Sequence, residues 1–226
     1  MPKPLCTLVV ALLLMAAATT VSAHEDLTTW QPTPAGFAPQ ARSADAVTLQ
    51  RGQAWGWLQA PRAPVNCELA ATLTVDSPAT QFEFFGVTWS AWPDPRFEDR
   101  GFEAAVLLRG SAEGDRGYRL QFSTKHQEVA LVRYPDGGYL RSVACPLRVQ
   151  TPHRVRVAAL GPVLRVWVDD RLLIEHVDRR EPALVDGLVA LGTSSNARVT
   201  FSQVTLDARE PETPARSEEH TSELQS

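Results

Sequence analysis

Between residues 66 and 206, apolar and polar side chains alternate with a period of two, run after run. Successive side chains of an extended chain point to opposite faces, so such runs predict β-strands with one buried face. Leu69, Ala71, Leu73 and Val75 share a face of a strand predicted over 67–75. Within 81–92, Phe82 and Phe84 share one face, and Glu83, Phe85, Val87 and Trp89 the other. Strands over 102–109 and 118–123 are joined by a loop at 110–117. Strands over 128–134 and 139–144 form a hairpin about Pro135-Asp136-Gly137-Gly138. Segments 154–159 and 163–168 pair across Leu160-Gly161-Pro162, and Asp169-Asp170 turns the chain into 171–177. Segments 188–191 and 197–206 finish the pattern, and two short runs, 46–50 and 55–59, precede it. The best helical candidate, 180–185, is short and carries Pro182. No internal repeat is visible, so a propeller or solenoid is not expected. The prediction is an all-β fold, a two-sheet antiparallel jelly-roll sandwich.

The ends break the pattern. Residues 1–23 read as a secretory signal, with Lys3, an apolar run over 5–18 and a small-residue Val21-Ser22-Ala23 site. That run is shorter than the ~20 residues a membrane-spanning helix needs, so stable membrane insertion after cleavage is not expected. Residues 216–226, RSEEHTSELQS, coincide with the in-frame translation of a common sequencing adapter and are set aside as an artefact. The organisation expected is a signal over 1–23, a leader with edge strands over 24–64, the sandwich over 65–207 and a disordered tail over 208–226. Export predicts a secreted or periplasmic protein, and further domains past 215 stay open.

The formal net charge is −4, from 22 basic and 26 acidic residues, which gives no general attraction to nucleic acid. Cys67 and Cys145 follow the signal; in an exported chain they read as a disulfide or as two separate buried thiols. No CxxC pair, nucleophile motif or glycine-rich phosphate loop occurs. Pro95, Arg96 and Phe97 interrupt the carboxylates of the surface loop at 92–100, which argues against a calcium site there. No metal or cofactor is expected. The oligomeric state is not legible.

Strand parity gathers the candidate chemistry. Glu83 shares a face with Trp89, Glu103 shares one with Arg109, and Arg119 shares one with Gln121. Were these strands neighbours, Glu83, Trp89, Glu103, Arg109, Arg119 and Gln121 would line one sheet face. An aromatic ring stacks on a pyranose while carboxylates, amides and guanidinium groups bond its hydroxyls. Trp92, beside Pro93, would rim such a face. Glu83 and Glu103 would be the acid and base of a glycoside cleavage. The same residues also fit cross-strand salt bridges between Glu83 or Glu103 and Arg109 or Arg119. Trp55 and Trp57 are expected to cover the sandwich edge, and Trp167, between Val166 and Val168, to lie in the core.

Six runs together carry a resemblance: AVLLRG at 105–110, GYRLQ at 117–121, HRVRV at 153–157, LRVWVDD at 164–170, GLVALG at 187–192 and VTFSQV at 199–204. They resemble the concanavalin A-like jelly-roll domains grouped as 3-keto-disaccharide hydrolases or family-16-like glycoside hydrolases, over residues 66–206. The resemblance implies a carbohydrate-facing sheet and exported sugar metabolism. Members read Gly-Tyr-Glu-Val-Gln where this chain has GYRLQ, so Arg119 replaces a carboxylate, and an ExDxxE run is absent. The first functional expectation is an exported carbohydrate-binding domain, with a carbohydrate or glycoside as partner. The second is a glycoside hydrolase of the 3-keto-glycoside type. The third is a laminin-G-like structural or interaction domain.

Overall fold

The computed structural model describes residues 24–52, 54–77, 82–84, 87–89, 102–135 and 138–213, with 82–84 and 87–89 described by backbone alone. A short 3-10 turn, Leu27–Thr29, precedes the strands. The strands are β1 Gln31–Thr33, β2 Ala41–Arg42, β3 Ala46–Gln50, β4 Gly56–Gln59, β5 Cys67–Ser77, β6 Phe82–Phe84, β7 Val87–Trp89 and β8 Ala104–Gly110. They continue as β9 Gly117–Ser123, β10 Glu128–Tyr134, β11 Gly138–Ala144, β12 His153–Leu160, β13 Val163–Val168, β14 Arg171–Val177, β15 Leu188–Thr193 and β16 Arg198–Ala208. The first sheet runs β1-β4-β15-β8-β9-β10-β11 and the second β14-β13-β12-β5-β16-β3-β2, seven strands each. All the strand pairs are antiparallel. The molecule is therefore an all-β, two-sheet jelly-roll sandwich.

The period-two runs explain the core. Leu69, Ala71, Leu73 and Val75 of β5 and Val155, Val157 and Ala159 of β12 face Ala104, Val106 and Leu108 of β8 and Tyr118, Leu120 and Phe122 of β9. In β16 the inward positions run Val199, Phe201, Val204, breaking strict alternation. A bulge between Ser202 and Thr205 absorbs the extra residue, with Gln203 at φ 53°.

The structure corrects three expectations. Trp167 lies on the outer face of the second sheet, half-buried, because its neighbours Val166 and Val168 take the inward positions. Cys67 and Cys145 are both buried free thiols, not a disulfide. Cys67 opens β5, opposite Ala159, whereas Cys145 bonds Gln127 and feels the charges of Asp169 and Arg171 at the other end of β12 and β13. The six steps along β5 from Cys67 to Leu73, which pairs with His153 beside Asp169, span ~20 Å. A disulfide needs Cα atoms within ~7 Å. Finally, the single strand expected over 81–92 is a hairpin, with Phe82 opposite Trp89 and Glu83 opposite Thr88. Parity along one strand therefore does not group Glu83 with Trp89.

A strap, residues 178–187, closes one end of the sandwich without regular structure. Arg133 donates to Asp178 Oδ2 at 2.7 Å and to the carbonyls of Arg180 and Pro182. Tyr118 donates its hydroxyl to the same carboxylate oxygen at 2.7 Å. No helix among the described residues is long and apolar enough to cross a membrane.

Candidate functional site

The register of the first sheet sets two rows of side chains on its outer face. One row runs Trp57, Gly192, Ala105, Gln121 and Ala130 across β4, β15, β8, β9 and β10. The next runs Gln59, Ala190, Leu107, Arg119 and Val132. The floor is mostly small. Trp57 lies against Gly192, where an added Cβ would stand 2.4 Å from its ring. Trp55 stacks on Trp57, with centroids 5.1 Å apart and planes 14° apart.

Arg119 reaches the same aromatic cluster. Its guanidinium carbon is 5.0 Å from the Trp55 ring centroid, 5.2 Å from Trp57 and 4.1 Å from Tyr134. It donates to the Tyr134 hydroxyl at 3.1 Å and to the Gly114 carbonyl at 2.6 Å. The 111–116 loop is thereby drawn over the face, and Gln59 holds it by donating to the Ala112 carbonyl at 2.8 Å. Such cation–π contacts strengthen as water is excluded, and Arg119 is only 6% exposed.

Two further polar groups lie along the same strands. Gln121 is 6% exposed, and its Oε1 has no hydrogen-bond partner among the described residues. Glu103 is fully buried just ahead of β8. Its carboxylate accepts the Thr124 N–H at 2.9 Å and the Thr124 hydroxyl at 3.2 Å. No cation pairs with it among the described residues. Burial pushes the Glu103 carboxyl above its ordinary range, outweighing these hydrogen bonds. The face is thus closed rather than open: Trp57, Ala105, Leu107 and Ala190 form a buried apolar cluster beside Arg119 and Gln121, and half-buried Trp55 and Tyr134 form its accessible rim.

Arg109 does not join this face, contrary to parity. It sits at φ 51° in a bulge of β8 against β15. Its guanidinium donates to the carbonyls of Val65, Gly161 and Leu184 and to Asn66 Oδ1, at 2.7–3.2 Å. Every one of these partners is structural, so Arg109 ties the strap to the sandwich end. The salt bridge expected between Glu103 and Arg109 is absent, because each group is satisfied elsewhere. The side chains of Glu83 and Trp89, and all of Trp92 and the acidic loop, lie outside the described residues. Among the described residues no group of three or more His, Cys, Asp or Glu is placed to hold a metal.

Trp55, Trp57 and Tyr134 are the site residues that strand reading missed. The Trp55-Gly56-Trp57 spacing carried the signal, since period two puts both rings on one side. What it lacked was the position of β4 inside the sheet, between β1 and β15.

No protein-family model and no curated protein matches the chain. Solved structures do. The carbohydrate-binding module CBM66 from Bacillus subtilis superposes with a TM-score of 0.60 at 16% identity, over 79% of this chain and 95% of that one. A Bacillus subtilis protein of unknown function with a galectin-like fold gives 0.59 at 9% identity, over 82% and 92%. The exoplasmic/lumenal domain of VIP36, in a Ca2+/Man3GlcNAc-bound form, gives 0.57 at 10% identity, over 85% and 90%. At these identities the likeness shows the fold, a galectin-like, concanavalin A-like sandwich.

Proposed function

We propose that this chain is an exported carbohydrate-binding domain that receives its glycan on the outer face of the first sheet. The observation that carries this reading is the buried arginine among three aromatic rings, beside a buried amide oxygen without a partner. Trp55 and Tyr134 would meet the apolar face of a sugar ring, and Arg119 and Gln121 its hydroxyls. The carbohydrate-binding module and the Man3GlcNAc-bound domain among the structural neighbours support this choice of ligand. The signal read at 1–23 supports a secreted or periplasmic location. The test is a glycan microarray probed with the protein and with Arg119→Ala and Gln121→Ala. Each substitution is expected to lower binding of the best array glycan at least tenfold. Unchanged binding by both variants would remove this face from recognition.

Glu103 favours a second reading, a hydrolase of the 3-keto-glycoside type. A buried carboxyl without a countercharge stays protonated to higher pH than usual, as a general acid requires. Glu83 is the second carboxyl of this reading, and the pair would need to stand ~5–10 Å apart. Turnover of a 3-keto-glycoside that Glu103→Gln leaves intact would exclude Glu103 as its acid.

A further inference from the structure

The outer face of the second sheet holds a groove that the reading above does not use. Two adjoining cavities, about 440 and 170 Å³, share Thr72, Arg154 and Asp170 as walls. The smaller continues along Arg156, Trp167 and Gln203. Both are open at the surface, so together they form a shallow groove rather than an enclosed pocket. Arg154 pairs in register with Thr72, and Arg156 with both Ala70 and Trp167, so the floor crosses β13, β12 and β5 with small side chains at its centre.

The backbone at the wall is held in an unfavourable state. Asp169 and Asp170 form the two-residue turn between Val168 and Arg171, at φ 50° and 63°. This turn type favours Asn-Gly, because left-handed φ costs most residues free energy. Asp169 has a structural task there, accepting the Arg154 N–H at 2.9 Å and bonding His153 Nδ1 at 2.8 Å. Asp170 has none. The side-chain partner of its carboxylate is Arg154 at 3.5 Å, with the two side chains 82% and 78% exposed. A strained, exposed acid in a cavity wall fits a ligand contact better than a fold contact.

The geometry points to a second glycan site, independent of the first face, for a neutral oligosaccharide with vicinal hydroxyls. Asp170 accepts from such hydroxyls and Arg154 donates to them from the adjacent position. Gln203, re-aimed by the β16 bulge and bonded to Thr72 at 2.9 Å, supplies an amide. The Arg156 guanidinium covers one face of the Trp167 ring, 3.9 Å from its centroid, and the part of the half-buried indole left exposed supplies apolar surface beside it. A neutral ligand fits because charges of both signs are interspersed along the groove: Arg154 lies against Asp170, Glu68 is shared by Arg156 and Arg209, and Asp169 bonds His153.

The experiment is a microarray of neutral malto-, cello- and fructo-oligosaccharides. The full chain is compared with Trp167→Ala, Asp170→Gly and, as the first-face control, Arg119→Ala. A set of array signals is expected to fall at least tenfold in both groove variants and to persist in Arg119→Ala. Asp170→Gly is expected to melt at or above the wild-type temperature, since glycine is unstrained at this φ, so its lost binding cannot be lost folding. Groove variants that keep every signal within twofold overturn the second site. If Arg119→Ala alone then erases binding, the first-face reading stands without it. A wild-type chain that binds no member of this neutral array overturns the second site, while the first-face reading is decided by its own glycan microarray.

Discussion

Glu103 is a carboxylate placed where its charge is unwelcome. Hydrogen bonds from Thr124 and neighbouring backbone reach its oxygens, no cation among the described residues pairs with it, and desolvation outweighs these bonds, so its folded pKa lies above its unfolded value. Stability from such an acid is full below the unfolded pKa, near 4.3, and is lost as pH rises through the folded value. Glu103→Gln is therefore expected to unfold at higher denaturant than wild type at pH 7, with the gain vanishing below about pH 4. A constant difference across that range would show that Glu103 is not the titrating group. Three arginines show how much of the residue scale is legible beforehand. Arg119 stands where period two puts it, because β8, β9 and β10 pair regularly around it. Arg109 carries the same sequence signal and ends elsewhere, because the β8 bulge turns its side chain to the sandwich end. Arg133 is buried on the core side, where the Asp178 carboxylate and the carbonyls of the strap receive it.

That strap is the element on which the closed end depends. Burial alone would raise the Asp178 pKa, but the Tyr118 hydroxyl, the Arg180 N–H and the Arg133 guanidinium together hold it below the usual carboxylate range. Its stabilising contribution is therefore present above the unfolded pKa, near 3.9, and is lost as pH falls through the folded value. Asp178→Asn leaves Arg133 buried without its countercharge and is expected to cost ~3–5 kcal/mol at neutral pH. Urea unfolding from pH 7 downward should show that deficit narrowing in acid; a deficit below about 1 kcal/mol at pH 7 would mean the strap is not clamped by this pair. At this scale the strands were legible in their alternation, whereas the strap was not. It has no period, and its structure comes from buried side chains reaching its carbonyls across long sequence separations. The 82–89 hairpin was missed for a related reason: a mostly apolar run of this kind reads as one strand with or without a turn in it.

At the scale of the whole molecule, the first strands and the last ones complete each other. β15 lies between β4 and β8 in the first sheet, and β16 between β5 and β3 in the second. A chain ending at Asp186 would lose a central strand from each sheet and leave β1, β2, β3 and β4 detached from the rest. It is expected to show no cooperative thermal transition and no near-ultraviolet circular dichroism; a sharp transition would mean that the remaining strands form a domain alone. The two tryptophans of the first face depend on the same arrangement, since β4 reaches its place only through β15.

The leader, which carries strands into both sheets, has a consequence for how the chain is made. A ribosome releases the opening strands first, and the strands that anchor them in the sheets, β15 and β16, emerge much later. Until β15 and β16 have emerged, β1 to β4 have no place in either sheet, and this opening stretch stays pliable. Closing contacts this distant along the chain also slows folding. A molecule built in this order keeps its opening strands threadable until β15 and β16 are made.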